Sequence, residues 1–248
     1  MKRVLLRVAY DGTDFHGWQL QPGKRTVESE LNNAIKEITG EDICVIGASR
    51  TDAGVHALGN VAVFDTESSI PGDKFKYALN TKLPEDVSIT ESQEVPSDFH
   101  PRHCDSEKTY EYRIYVSETP NPIKRRNAVR CPYSLNVEKM NEAAKYLVGE
   151  HDFKSFCSVK TQAETTVRKL YFAEVFKDKE DIVIRVTGAG FLYNMVRIIA
   201  GNLMEIGTGK YEPAHIKDVL EGCDRTLGGP TAEAQGLTLI KIDFRGLL

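Results

Sequence analysis

Apolar side chains recur with two different periods in the first 104 residues. Every second residue from Val4 to Tyr10 is apolar, which predicts a strand over 2–10. From Val27 onward apolar residues return at helical spacing until Gly40, which predicts a helix with one apolar face. The other predicted elements of this half are strands over 43–49, 60–66 and 87–95 and a helix over 73–83.

Residues 105–248 repeat this order of elements. The predicted strands lie over 107–117, 166–177, 181–187 and 237–244, and the predicted helices over 137–148, 190–206 and 213–222. Both halves therefore read β-α-β-β-α-β, the order of a ferredoxin-like unit with helices on one face of an antiparallel sheet. We expect an α+β fold of two pseudo-repeated halves, 1–104 and 105–248, whose largely antiparallel sheets join around a central catalytic cleft.

The composition is that of an ordinary globular protein. Of the 248 residues, 41% are hydrophobic and 27% are charged, which excludes collagen, wholesale disorder and a disulfide scaffold. No apolar run approaches the roughly 18 to 20 residues of a membrane span, so we expect a cytoplasmic protein with no membrane partner. The five cysteines lie far apart without a Cys-x-x-Cys pair, which predicts reduced thiols and neither a zinc site nor a disulfide framework.

The charge is unevenly distributed along the chain. The net charge of −4 argues weakly against bulk electrostatic binding of nucleic acid. Residues 1–104 hold 11 basic and 16 acidic side chains, whereas residues 105–248 hold 21 and 20. Within 100–130 basic side chains outnumber acidic ones, which fits either a local basic patch or a solvated, salt-bridged surface.

A cluster of polar residues separates two predicted strands of the first half. The segment 48–57 reads Ala-Ser-Arg-Thr-Asp-Ala-Gly-Val-His-Ala, and functional loops commonly lie at strand ends. Asp52 beside Arg50 fits an ionised carboxylate kept reactive by a nearby cation, and Gly54 allows a tight loop. A structural Asp turn with an incidental ion pair fits the same residues.

Several ordered motifs resemble one protein family. They are Arg-Thr-Asp-Ala-Gly-Val-His-Ala at 50–57, Tyr-Asp-Gly-Thr-Asp-Phe-His-Gly-Trp-Gln at 10–19, Arg-Thr-Val-Glu-Ser-Glu-Leu at 25–31, Asp-Phe-His-Pro-Arg at 98–102, Lys-Thr-Tyr-Glu-Tyr at 108–112, Phe-Leu-Tyr-Asn-Met-Val-Arg at 191–197 and Gly-Pro-Thr-Ala-Glu-Ala-Gln-Gly-Leu at 229–237. In content and order they resemble the tRNA pseudouridine synthase A family over essentially the whole chain. Ser49 stands where the family usually has Gly, and Pro101 where a small residue is expected, but neither change touches the reacting groups.

The resemblance implies isomerisation of uridine to pseudouridine at positions 38, 39 and 40 in the anticodon stem-loop of tRNAs. It makes Asp52 the catalytic residue, acting by attack at C1′, by attack at C6 or through a glycal while the bond to C1′ moves from N1 to C5. Substrate and product contain the same atoms, so we expect no cofactor, no metal and no ATP. The histidines and cysteines likewise show no metal-ligand spacing.

The family's other active-site residues match Tyr110 and Arg197. Tyr110 would stack on the uracil, whereas the strand pattern alone favours core packing, the interpretation that we keep for Tyr112. Arg197 lies in an apolar predicted helix and would pair with Asp52, although a structural ion pair with another acid also fits. Arg50 would fill the gap left when the target nucleotide is extruded, or else contact a phosphate.

Further basic residues are candidate phosphate contacts, which position RNA without reading its sequence, although surface cations are usually only solvated. They are His100, Arg102, Lys124, Arg125, Arg126, Arg130, Arg168 and Lys169. The segment Gly188-Ala189-Gly190 fits a strand-to-helix turn better than a nucleotide-binding loop, because Tyr193 replaces the third glycine.

The expected partner is tRNA, and the resemblance implies a homodimer on which one tRNA touches both subunits. A non-catalytic tRNA-binding or chaperone protein is the main alternative, and it would keep its biological activity in an Asp52→Asn variant. An Asp-dependent hydrolase of a small nucleoside is a third interpretation, and it would release base from free uridine. The set of Asp52, Tyr110 and Arg197 favours the synthase.

Overall fold

The structure, a computed structural model, describes residues 1–159, 161 and 163–245. The helices are α1 (Val27–Thr39), α2 (Phe75–Asn80), α3 (Val137–Lys145), α4 (Met195–Gly207) and α5 (His215–Gly222). The strands are β1 (Lys2–Tyr10), β2 (Ile46–Gly47), β3 (His56–Thr66), β4 (Val87–Val95), β5 (Ser106–Val116), β6 (Val129–Cys131), β7 (Gly149–Asp152), β8 (Val167–Asp178), β9 (Asp181–Gly188) and β10 (Leu237–Phe244). No helix within the described ranges combines the length and the apolar composition that a membrane crossing requires.

The chain folds into two compact units. The first comprises Met1–Asp105 together with the chain from Leu239, and the second comprises Ser106–Thr238. The predicted α+β class, with two pseudo-repeated halves of largely antiparallel strands, is confirmed. Most of β10, which completes the second sequence repeat, clusters in space with the first unit.

The first unit has the strand order of a ferredoxin-like sheet. β1 lies between β4 and β3 and pairs antiparallel with both, and β2 pairs antiparallel with β3, giving the order β4-β1-β3-β2. β10 is a further neighbour of β3. Helix α1 begins at a reciprocal cap between Thr26 and Ser29 and ends at Gly40, whose φ is +76°. Its apolar stripe, which includes Leu31 and Ile35, is fully buried.

The second unit repeats part of this order. β9 lies between β5 and β8 and pairs antiparallel with both, so β5-β9-β8 matches β1-β3-β2 of the first unit. β7 extends the sheet beyond β8, and the short β6 pairs parallel with β5. Helix α3 is tied to β8 because the Asn141 side chain accepts a hydrogen bond of 2.9 Å from the Val175 N–H.

Several predicted boundaries were wrong. Helix α4 begins at Met195 rather than at 190, because Asn194 adopts a φ of +61°, outside the helical region. The strand predicted over 43–49 is reduced to Ile46–Gly47, and the loop predicted over 50–59 ends where β3 begins at His56. Strands β6 and β7 were not predicted.

Candidate active site

Asp52 lies in the short loop between β2 and β3. The loop turns tightly, because the Val55 N–H donates to the Asp52 carbonyl at 3.1 Å and Gly54 has a φ of +78°. The Asp52 side chain is half-buried, whereas Arg50 is exposed. The turn thus presents a carboxylate on a constrained backbone, with a cation two residues away.

Buried polar contacts fix the residues that precede Asp52 in this loop. The Thr51 hydroxyl lies 2.7 Å from the Tyr10 hydroxyl, and the Thr51 carbonyl accepts a 3.0 Å bond from the Trp18 N–H. Asn60, which is fully buried, donates to the Tyr10 hydroxyl and to the Ser49 carbonyl. Because buried polar groups are costly to leave unpaired, these bonds resist displacement of the loop.

Two glycines let the segment after β1 press against the loop. A methyl group at Gly12 would lie 2.0 Å from the Val55 carbonyl oxygen, and one at Gly17 would lie 2.7 Å from the Thr51 carbonyl oxygen. Gly17 also has a φ of +90°, which side chains rarely adopt. The loop carrying Asp52 therefore rests on a backbone surface that excludes side chains at these positions.

His56 anchors the far end of the loop. Its Nδ1 accepts a 3.0 Å hydrogen bond from the Gly12 N–H and lies 3.1 Å from an Asp11 carboxylate oxygen. Nε2 is buried and has no hydrogen-bond partner among the described residues. The predicted motif thus includes a histidine whose contacts join the loop to the segment after β1.

The structure places His100 and Arg102 in the same unit as Asp52. The Arg102 Nε donates to the Gly47 carbonyl at 2.7 Å, just before the loop begins. The His100 ring stacks on His103 at a centroid distance of 3.9 Å. Burial, together with the nearby His103 and Arg102, lowers the pKa of His100 below its ordinary value, which favours its neutral form. Arg50 itself forms no hydrogen bond or ion pair with any residue in the described ranges.

Tyr110 and Tyr112 share one face of β5 in the second unit. Tyr110 is buried, and its ring meets Phe191 edge-on at 5.0 Å. Tyr112 is fully buried and donates a 2.9 Å hydrogen bond to the Glu233 carbonyl. Burial and the nearby Glu233 raise the pKa of Tyr112. The packing role predicted for Tyr112 agrees with these contacts.

Arg197 lies in the first turn of α4 and is half-buried. Its Nε donates to the Ala232 carbonyl at 2.7 Å, and its Nη1 donates to the Asn194 side chain at 3.0 Å. The Ala232 N–H in turn donates to the Arg197 carbonyl. These bonds orient the guanidinium and hold it against the segment that contains Glu233, whose carbonyl accepts the hydrogen bond from the Tyr112 hydroxyl.

The remaining predicted phosphate contacts differ in environment. Lys124 is neutralised by Asp181 at 2.6 Å. Arg130 and Arg168 donate to main-chain carbonyls. Arg125, Arg126 and Lys169 are exposed.

Comparison with known proteins matches these residues to one family. The model of a family described as tRNA pseudouridine synthase matches residues 7–103 and 143–245. The chain belongs to this family. The predicted enzyme class, an isomerase that forms pseudouridine in tRNA, is confirmed by this membership.

Curated relatives named tRNA pseudouridine synthase A match nearly the whole chain. Those of Ruminiclostridium cellulolyticum and Brevibacillus brevis are each 47% identical over 98% of this chain and 100% of their own length. That of Caldicellulosiruptor bescii is 46% identical with the same coverage. As a pseudouridine synthase, this chain has an Asp52 loop supported by Tyr10, Trp18 and Asn60. Tyr10 and Trp18 lie in the motif at 10–19, but the sequence did not assign them these contacts, and Asn60 lies in a predicted strand outside the motifs.

Proposed function

We propose that this pseudouridine synthase acts on uridines 38, 39 and 40 in the anticodon stem-loop of tRNA. The observation that carries the proposal is the Asp52 turn, whose half-buried carboxylate directly follows Ser49 and Thr51, and these are fixed by contacts with Tyr10, Trp18 and Asn60. A carboxylate held in this way suits nucleophilic or proton-transfer chemistry, since its position is set before the substrate binds. We place the activity in the cytoplasm.

In the proposed reaction Asp52 is the catalytic residue. The N1–C1′ bond of the target uridine breaks and a C5–C1′ bond forms. The proton on C5 leaves, and N1 gains one, so the product is an isomer of the substrate. The carboxylate acts by attack on the ribose or the base, or as a proton acceptor.

Five further residues have proposed roles in substrate binding. Tyr110 packs beneath the uracil, supported by its edge-on contact with Phe191. Arg197, oriented by Ala232 and Asn194, binds at the reacting nucleotide. Arg50 is exposed and fills the space left by the extruded nucleotide. His100 and Arg102 contact phosphates near the start of the loop.

The test is release of tritium from 5-tritiated uridine in an unmodified tRNA transcript. Native protein should release tritium from transcripts whose only labelled uridine is at position 38, 39 or 40. The Asp52→Asn variant should release none while binding the transcript with nearly native affinity. Asp42→Asn, at an exposed carboxylate outside the loop, is the matched control and should behave as the native protein does.

Two outcomes would contradict the proposal. Tight binding without tritium release by native protein would leave only a tRNA-binding protein. Release from uridines elsewhere in the tRNA, with none from positions 38 to 40, would keep the chemistry and overturn the site. We also propose that the protein is a homodimer. Light scattering tests this separately, and a monomer mass both with and without tRNA would overturn it.

A further inference from the structure

Arg168, at the start of β8, has an unusual environment for a cation. It is half-buried. Its Nη1 donates to two main-chain carbonyls, that of Thr165 at 2.9 Å and that of Val167 at 2.6 Å. In the part of the chain that the structure describes, no Asp or Glu pairs with it. The charge is therefore partly removed from water without an anion beside it.

Two other partly buried cations of the second unit are neutralised by acids. Lys124 pairs with Asp181 at 2.6 Å, and Arg185 pairs with Glu111 at 2.7 Å. The hydrogen bond to Asp181 raises the pKa of Lys124, whereas burial lowers the pKa of Arg168 below its ordinary value. An uncompensated, partly desolvated cation is costly, and an incoming anion would reduce this cost.

The two carbonyl contacts fix which edge of the guanidinium is available. Because Nη1 makes both carbonyl contacts, the orientation of the group is set and the N–H groups of Nε and Nη2 are left without acceptors among the described residues. These two parallel N–H groups form the fork that binds two oxygens of a carboxylate or phosphate.

The space beside this edge is open. A methyl group built on Gly190 would have only Arg168 within 4 Å outside its adjoining residues, with Nε at 3.9 Å and Cδ at 4.0 Å. Gly190 does not have a positive φ, so its small size is not required by the backbone conformation. The glycine instead leaves room for a ligand to approach the guanidinium.

We propose that Arg168 binds a backbone phosphate of tRNA through its Nε–Nη2 edge, beside Gly190. The proposal rests on the proposed function, because it takes the anion to be a phosphodiester of the tRNA substrate. Arg130 is also half-buried and donates through Nη1 to two carbonyls without an acidic partner among the described residues. Arg168 has in addition the open approach beside Gly190.

The first experiment measures affinity for a full tRNA transcript over a range of salt concentrations. Arg168→Gln should weaken binding about tenfold, the usual effect of losing one charge-assisted contact. It should also reduce the slope of log K against log[salt] by about 0.7 to 0.9, the contribution of one phosphate. Lys139→Gln is the matched control, since its cation is paired with Glu212 at 2.9 Å and is not among the candidate phosphate contacts, and it should leave both quantities unchanged.

A second pair of variants leaves Arg168 in place. Gly190→Asp puts a carboxylate within reach of the Arg168 Nε and should neutralise it, reproducing the losses of affinity and of slope. Gly190→Asn has nearly the same size without the charge and should lose much less. Arg168→Lys keeps the charge without the fork, so it should restore the slope but only part of the affinity.

Each outcome bears on the proposal. If Arg168 only holds the turn at 165–168, Arg168→Gln will lower the melting temperature and leave the salt slope at the native value, which overturns the proposal. Equal behaviour of Gly190→Asp and Gly190→Asn overturns it as well. Failure of the proposed function is distinguishable, because native protein would then release no tritium from positions 38 to 40, whatever the slopes of the variants.

Discussion

The Tyr112 hydroxyl donates its hydrogen bond to the Glu233 carbonyl from a fully buried position. Tyr112→Phe removes the hydroxyl donor and leaves the Glu233 carbonyl without this hydrogen bond. We therefore expect a loss of about 1 to 2 kcal/mol in the free energy of unfolding. The measurement is urea denaturation of both proteins at pH 8. A variant as stable as the native protein would show that water replaces the phenol.

The same phenol makes part of the stability depend on pH. Burial raises the pKa of Tyr112 in the folded state, whereas the unfolded chain loses this proton above about pH 10. The folded state therefore loses stability relative to the unfolded state as pH rises above about 10. Since Tyr112→Phe lacks this proton, the stability gap between the two proteins should narrow above pH 10 and stay constant below it.

Residues of the site differ in how far the sequence could predict them. Asp52, Tyr110 and Arg197 are candidates because motifs carry them at fixed places. The contacts that support Asp52 could not be found in this way, although Tyr10 lies in the motif at 10–19. Tyr10 reaches Thr51 across 41 residues, and Asn60 reaches Ser49 only after β3 pairs within its sheet. Such contacts depend on the register of strands, which local patterns do not specify.

At the scale of elements, helix α4 holds the segment 228–236 by several contacts. The Asn202 side chain donates to the Gly228 carbonyl, and Arg197 donates to the Ala232 carbonyl. Between these contacts Gly201 faces Pro230, and a methyl group there would lie 2.1 Å from the Pro230 carbonyl oxygen. The close approach of α4 to this segment therefore requires a glycine at 201.

Gly201→Ala should displace the segment 228–236 and with it the backbone acceptor of Arg197. We expect a loss of at least about 2 kcal/mol in stability, as for other overpacked cores, and a lower rate of tritium release. Gly207→Ala in the same helix is the control, because its methyl group would meet the flexible Met140 Sδ at 2.7 Å. There the gain in helix propensity, about 1 kcal/mol, offsets much of the strain. Thermal denaturation measures the loss of stability in each variant. Equal losses in the two variants would contradict this account.

The elements that the sequence predicted best have a clear apolar period. Strands β1, β4 and β10 have the predicted bounds. The start of α4 was misplaced because the apolar pattern continues through the turn before Asn194, whose positive φ is set by its surroundings. β7 was missed because its four residues carry little apolar signal and are held by pairing with β8.

At the scale of the molecule, an acidic protein of net charge −4 belongs to a family that acts on a polyanion. The sum of charges therefore does not govern binding, and individual cations must do so. The structure separates these cations by their partners: Lys124 is neutralised inside the protein, whereas Arg50 and Arg168 have no acidic partner among the described residues. Charge counting along the sequence could not make this distinction, because it depends on which side chains the fold brings together.

The reaction as a whole conserves atoms and oxidation state, so it needs no redox partner, and we propose that the protein's own side chains suffice for it. We expect protein dialysed against EDTA to release tritium at a rate within about twofold of untreated protein, since loss of a catalytic metal would remove several kcal/mol of transition-state stabilisation. The transcript is folded with spermidine instead of Mg²⁺, and its folding is checked by melting before the assay. A rate that falls at least about 100-fold and returns on addition of one particular divalent ion, with the transcript folded throughout, would show that Asp52 needs a metal ion to act.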